Sequence, residues 1–349
     1  MRAKVSPELS HRIANLGFLC TLLVVSIHLR NVPVQVGSMP WVLHHVVRYC
    51  LAIVAVPYFF IVSGYFLSRH VGEPGWWRRA VVQRLRTIGI PFFAWCLIPL
   101  LLFSLFWTAG DPGGECSRVT FRASSVAAAL GLNLFTSPEA NRPLWYLRAL
   151  MMLTVISPVL AWTLRKSRGW ALILFACVWW SLNPGSLEFT GFWLNLRWQI
   201  FFVFGFTVEG LVFFSLGLFL GQRSFHLRRR SGLTLGAVGL VIGLVGLALR
   251  MNGIQGWSYC AMASILPVLG GLWVLTPQKA GPGWLIGSAF SVYVVHSIMI
   301  RTVNVLGIVP KGTFAGVLEW TIVVVLSFLV AIVLHKGLPR ISKVLFGGR

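Results

Sequence analysis

Two histidines stand in stretches of sequence that are otherwise almost wholly apolar. His28 lies near the end of the run Ile13 to Leu29, and His296 closes Ser291-Val292-Tyr293-Val294-Val295-His296. A neutral imidazole titrates near neutral pH and can take the proton of an attacking hydroxyl. Carrying such a group to lipid depth is costly, so an intramembrane histidine reads first as a functional group. At about 1.5 Å per residue, His28 is roughly 22 Å along its helix from Ile13, toward the outer half. The competing account of each is a packed imidazole bonded to a neighbouring carbonyl. His28 is the candidate catalytic base and His296 a supporting one.

Other polar groups fall close enough in the pattern to assist. Ser63 and Tyr65 sit in Pro57-Tyr58-Phe59-Phe60-Ile61-Val62-Ser63-Gly64-Tyr65, and Tyr146 and Arg148 in Leu144-Trp145-Tyr146-Leu147-Arg148. Ser63, Tyr65 or Tyr146 can orient a carbonyl or an acceptor, although small and aromatic residues at such positions equally serve helix packing. Arg148, about one turn inside the outer surface, either faces an anionic or sugar ligand or snorkels outward. Glu209 is a lone carboxylate in an apolar segment. Arg301 and Glu319 flank the last helix hairpin and read as a structural ion pair. The dense basic stretch Trp76-Trp77-Arg78-Arg79 and Arg84-Leu85-Arg86 offers Arg78, Arg79, Arg84 and Arg86 for phosphates, with Trp able to stack on a base. From the residues alone, a topology signal with aromatic anchoring explains the same stretch. Five of the six cysteines lie in apolar segments and none has metal or disulfide-framework spacing, so no metal site is expected.

The elements that position these groups are membrane helices. Of 349 residues, 57% are hydrophobic and 11% charged, with 16 Trp and 25 Phe, too apolar for a soluble protein of this size. A transmembrane helix takes about 20 apolar residues. Ten candidates run from Ile13 to Arg30, Val46 to Ser68, Ile88 to Thr108, Leu144 to Leu164, Gly169 to Leu182, Trp198 to Gln222, Gly232 to Leu249, Trp257 to Thr276, Gly283 to Leu306 and Phe314 to Lys336. Gly169 to Leu182 is short and Trp198 to Gln222 carries Glu209, so either can be broken or re-entrant where it lines a cavity. The expected fold class is an all-α integral membrane bundle of about ten transmembrane helices, with a single membrane-embedded domain spanning 1–349. The opening residues are polar and basic without a small-residue cleavage site, which favours an uncleaved first helix. The long connection Ala109 to Pro143 holds a partly helical piece, Ser124 to Phe135.

A net charge of +22, from 30 basic and 8 acidic residues, invites a nucleic-acid reading. With the N-terminus inside, however, most of the basic residues fall in the inner connections, as the positive-inside rule requires. Both termini are then cytoplasmic, and nucleic-acid binding loses its main support. A transporter or flippase is the rival reading, with the intramembrane His, Glu and Arg lining a pathway, but no paired broken helices appear in matching halves.

Taken in series, several motifs resemble the membrane-bound acyltransferase-3 family. Pro57 to Tyr65 is similar to the family's "PxFFxxSGY" segment, and His28 closes a first helix ending in "VVxxH". Arg84-Leu85-Arg86 precedes Pro91 as in its basic loop, Leu144-Trp145-Tyr146-Leu147 resembles its "LWFL" entry, and Ser291 to His296 its "sxxxYxxH". Order and spacing hold over nearly the whole chain. The resemblance implies transfer of an acyl group, often acetyl, from cytoplasmic acyl-CoA to a hydroxyl, less often an amine, of a carbohydrate or other envelope or exported acceptor. It implies His28 as the catalytic residue, a role for the basic loop in holding acyl-CoA, no bound cofactor, and a multi-pass place in a bacterial inner membrane. One position departs: the family usually carries Arg or Lys eleven residues before the histidine, where this chain has Gly17. That departure motivates a third reading, a catalytically silent relative, and makes Arg148 a candidate substitute cation.

Overall fold

The structure, a computed structural model, describes residues 5–31, 36–106, 141–182, 207–223, 226–310 and 312–348, and every regular element among them is helical. In chain order these are α1 (Pro7–His28), α2 (Met39–Val46), α3 (Ala55–Ser68), α4 (Trp76–Arg84), α5 (Ile90–Phe106), α6 (Trp145–Lys166), α7 (Trp170–Ser181), α8 (Val208–Leu220), α9 (Arg229–Met251), α10 (Trp257–Leu275), α11 (Gly283–Gly287), α12 (Ala289–Val305), α13 (Ala315–Gly337) and α14 (Pro339–Leu345). Ser6 starts α1 by accepting from Leu9 N with Pro7 in the first turn, and Thr207 starts α8 by accepting from Gly210 N. Both are side-chain caps of the kind an apolar helix needs where its first amides lack partners.

Each of the ten apolar segments expected from the sequence holds a helix in its described part. Among the described residues, seven helical stretches are long and apolar enough to cross a bilayer, and α7, α8 and α12 are shorter apolar helices of 12, 13 and 17 residues. Several boundaries differ from the expected ones, among them the start of α1, at Pro7 rather than Ile13. The segment expected from Val46 begins at Met39, because α2 runs on through a π-helical turn, Val47–Leu51, and a 3-10 turn, Ala52–Val54, into α3. The segment expected from Ile88 begins at Trp76, because α4 is joined to α5 by a second π-helical turn, Leu85–Gly89. The segment expected from Gly283 is divided at Ser288 into α11 and α12. The Ser124–Phe135 piece and the first part of Trp198 to Gln222 lie outside the described residues.

Close helix crossings fix the frame. At the α3–α8 crossing a Cβ on Gly64 would strike the Phe214 carbonyl, and one on Gly217 would strike the Ile61 carbonyl, so glycine lets the two backbones meet. The α9–α10 pair does the same, with Gly236 against Gly271. Ser63, beside Gly64, therefore lies on a helix whose neighbouring residue is committed to packing. Around these crossings the buried core is built from Leu16, Cys20, Val24, Tyr58, Phe60, Cys96, Leu147, Phe213, Phe214 and Val294, contributed by α1, α3, α5, α6, α8 and α12.

Candidate active site

His28 is the last residue of α1, and its ring centroid lies 5.4 Å from that of His296 on α12. The chain thus brings together its two intramembrane imidazoles from positions far apart in sequence. His296 is fully buried, and its Nδ1 lies 2.6 Å from the Tyr293 carbonyl. A carbonyl only accepts, so Nδ1 carries the proton and Nε2 carries the lone pair. That Nε2 is buried and has no hydrogen-bond partner among the described residues. His28 is half-buried, its imidazole makes no hydrogen bond to protein among the described residues, and Arg48 interacts with it electrostatically.

A file of rings leads away from the pair. Tyr293 lies 6.0 Å from His296, Tyr146 6.1 Å from Tyr293, and Phe60 4.8 Å from Tyr146. The Tyr293 hydroxyl donates to the Pro143 carbonyl. Asn141, fully buried, donates to the Trp95 and Val294 carbonyls at 3.2 and 3.1 Å, which ties the start of α6 to α5 and α12. Arg148 is buried one turn into α6, close enough to Cys96 on α5 to interact electrostatically. It belongs to the interior rather than to a snorkelling surface.

The end of α1 is held by a group that the sequence reading assigned elsewhere. Glu319, fully buried on α13, accepts from Arg30 N at 3.0 Å and Asn31 N at 2.8 Å, and from Asn304 Nδ2 at 2.6 Å. Asn31 Nδ2 in turn donates to Asn304 Oδ1. The expected Arg301–Glu319 ion pair does not form among the described residues. Past the last turn of α1 the chain leaves two amides without helical acceptors, and the carboxylate takes those instead. Glu319 and Asn304 therefore fix the residues that follow His28.

Two cavities lie at opposite ends of α1. The larger, about 610 Å³, is bounded by Leu9, Ile13, Tyr58, Tyr65 and Trp273, with Arg69, Arg223 and His226 contributing its basic groups. Tyr58 Oη donates to the Ile13 carbonyl at 2.5 Å, which sets the level of this cavity on α1. The smaller, about 400 Å³, is bounded by Ile27, next to His28, and by Tyr49, Trp145, Trp179, Glu209, Trp257 and Ser258. Tyr49 comes from the π-helical turn before α3, an irregularity of the sort frequent at functional sites.

The candidate residues of the sequence thus divide. His28 and His296 meet, Tyr146 joins them through Tyr293, Arg148 is buried nearby on α6, and Glu209 lines the smaller cavity. Tyr65 faces the larger cavity, where Arg69 Nη1 donates to its hydroxyl at 3.3 Å, at the other end of α1 from His28. Arg78, Arg79, Arg84 and Arg86 lie on α4 and the π-helical turn after it, outside the walls of either cavity. Arg79 is bound to Glu73 at 2.9 Å and to the Pro74 carbonyl at 2.6 Å. Gly17 faces Tyr58 and Phe59, with 3.7 Å from an ideal Cβ to the nearest ring atom. Among the described residues no group of three His, Cys, Asp or Glu is arranged to hold a metal.

No curated protein and no solved structure compared with the chain matches it. The family profile described as an acyltransferase domain matches residues 14–336, nearly the whole chain, and includes the paired histidines. The chain belongs to the acyltransferase-3 family and is an integral, multi-pass membrane acyltransferase.

Proposed function

We propose that the protein transfers an acyl group, acetyl in the simplest case, from cytoplasmic acyl-CoA to a hydroxyl of a cell-envelope acceptor, with His28 as general base. The observation that carries this reading is the contact between His28 and His296, whose tautomer is fixed by the Tyr293 carbonyl. A neutral imidazole beside a second one is suited to receiving a proton from an attacking hydroxyl. The acceptor oxygen attacks the thioester carbonyl, a C–O bond forms, and its proton passes to His28. The C–S bond then breaks, and the departing thiolate of coenzyme A takes up a proton.

The larger cavity supports entry of the donor at the end of α1 remote from His28. Its walls are apolar for the acyl-pantetheine arm, and Arg69 and Arg223 offer cations for phosphates. In this reading they supply the positive charge that the family places where this chain has Gly17. The α4 arginines act as a more peripheral basic surface that draws the polyanionic donor to the membrane. The distribution of basic residues favours cytoplasmic termini, and we place the protein in a bacterial inner membrane.

The test is thiol release from radiolabelled acetyl-CoA by membranes containing the protein, with label followed into envelope glycans. Label transferred by the wild type and lost with His28→Ala supports the reading. Equal transfer by both removes His28 from the mechanism, and no turnover of several acyl-CoA donors by folded protein favours a silent relative.

A further inference from the structure

One turn of α12 is gripped twice by the short segment that leads into α6. Asn141 is fully buried, and its Nδ2 donates to the Trp95 carbonyl on α5 at 3.2 Å and to the Val294 carbonyl on α12 at 3.1 Å. A carbonyl cannot donate, so these two acceptors fix which way the amide points. Its Oδ1 is left buried with no hydrogen-bond partner among the described residues. Two residues on, the Pro143 carbonyl accepts from the Tyr293 hydroxyl. The segment thus holds α12 by its main chain at Val294 and by a side chain at Tyr293.

The same turn decides where His296 keeps its proton. His296 Nδ1 lies 2.6 Å from the Tyr293 carbonyl, and its buried Nε2 has no hydrogen-bond partner among the described residues. A carbonyl inside an α-helix is already served by the amide four residues on, so α12 does not need Asn141 to complete Val294. Burying an amide with an orphan oxygen is costly, and an exception of that kind calls for a reason other than stability. The reason the geometry offers is position: His296 stands two residues beyond Val294, with its ring 5.4 Å from that of His28.

We propose that Asn141 is a positioning residue for the histidine pair, assisted by the Pro143 carbonyl. It sets the rotation and height of the Tyr293–His296 turn, so that Nδ1 keeps its proton and Nε2 stays bare beside His28. A shift of about 1 Å at a reacting group can cost about a hundredfold in rate, so a small error in this turn is enough to matter. Glu319 and Asn304 hold the residues after His28, and each imidazole is thereby located by polar groups from outside its own helix. The effect on rate rests on the acyl-transfer reading above. The effect on the tautomer does not.

The experiment is nitrogen-15 NMR of the full-length protein in lipid bilayers, labelled at histidine, with the His296 signals assigned by their loss in His296→Asn. It is paired with thermal midpoints and with kcat and KM for acetyl-CoA. Wild type is expected to show His296 protonated at Nδ1 alone. Asn141→Leu has nearly the same shape and leaves no polar atom unpaired, so its thermal midpoint should not fall. Its His296 is nevertheless expected to show a mixture of tautomers, with kcat about a hundredfold lower and KM within a factor of three. Tyr293→Phe, which loses only the bond to Pro143, is expected to change both in the same direction by a smaller factor. Gly217→Ala, which loosens the distant α3–α8 crossing, is expected to leave the tautomer as in wild type. The proposal is overturned if Asn141→Leu and Tyr293→Phe keep the wild-type tautomer and kcat, or if Gly217→Ala scrambles the tautomer equally. An altered tautomer in Asn141→Leu, in a protein whose wild type turns over no acyl-CoA, would uphold the positioning and remove the acyl-transfer reading.

Discussion

His28 and His296 illustrate how far residue type leads and where geometry takes over. Each is legible in the sequence as an imidazole out of place in an apolar run. Their contact is not, because nothing in either segment encodes a meeting between the end of α1 and the first half of α12. The structure also separates their settings. His28 makes no hydrogen bond to protein among the described residues, as the proposed role of general base requires, whereas His296 is anchored through Nδ1. Replacing His28 by Ala is expected to lower kcat by about a hundred- to ten-thousand-fold, the usual span for a general base. His296→Asn keeps an N–H for the Tyr293 carbonyl but has no basic lone pair. If His296 supports the proton on His28, kcat for His296→Asn falls nearly as far as for His296→Ala. Wild-type kinetics would settle the matter if His296→Asn retained them. The base must be neutral to act, so kcat/KM should rise with pH through the imidazole titration and level off above it, and this rise should vanish in His28→Ala. Gly17 gives a third residue-scale prediction. Its Cβ direction has ordinary contact distances to Tyr58 and Phe59, so Gly17→Lys should fold and, by restoring a cation near the larger cavity, lower KM for acyl-CoA without changing thermal stability by more than about 1 kcal/mol.

The elements show why the sequence read well for helices and less well for what joins them. Long apolar runs announce α1, α6, α9, α10 and α13 because the bilayer imposes both length and composition. The π-helical turns at Val47–Leu51 and Leu85–Gly89 join segments into continuous helices without a composition signal of their own. Asn141 lies beside Arg142-Pro143, a setting that reads as a loop, yet it is fully buried and ties three helices together. Glu319 reads in the sequence as the ion-pair partner of Arg301, but it accepts from two backbone amides as well as from Asn304 Nδ2, and no side-chain pattern reveals the backbone partners. Charge-assisted hydrogen bonds of this kind are worth about 1.5 to 3 kcal/mol each where the carboxylate is buried. Glu319→Gln keeps the shape and removes the charge. It is expected to lower the thermal midpoint and to reduce kcat more than it alters KM, since it loosens the end of α1 that carries His28. Unchanged kcat with a lowered midpoint would make Glu319 a purely structural clamp. At the α3–α8 crossing, Gly217→Ala forces a methyl into the Ile61 carbonyl and should cost about 1 to 3 kcal/mol, read as a lower denaturation midpoint in detergent.

At the scale of the whole molecule, the proposed reaction would be divided by the two cavities between the ends of α1. Ile13, at the larger cavity, and His28, beside the smaller, are about 22 Å apart along one helix. Between them Leu16, Cys20, Val24 and Tyr58 are packed in the core with at most 3% of their surface exposed. This arrangement keeps water from joining the two spaces and favours transfer over hydrolysis of the donor. On the proposed reading the donor thioester reaches the histidines by displacing part of that packing, and Gly17, which has no side chain, faces Tyr58 and Phe59 along that route. Arg69 and Arg223 should then govern donor binding without touching the chemistry. Replacing either by Ala is expected to raise KM for acetyl-CoA about tenfold or more while kcat stays within a factor of two or three, a loss typical of one charge-assisted phosphate contact. The sidedness follows from the same division. In proteoliposomes of defined orientation, acetyl-CoA supplied on the side of Arg69 and Arg223 should be consumed, and acetyl-CoA supplied only on the side of Trp257 should not. Consumption from the Trp257 side would place the donor in the smaller cavity and reverse the assignment of the two ends.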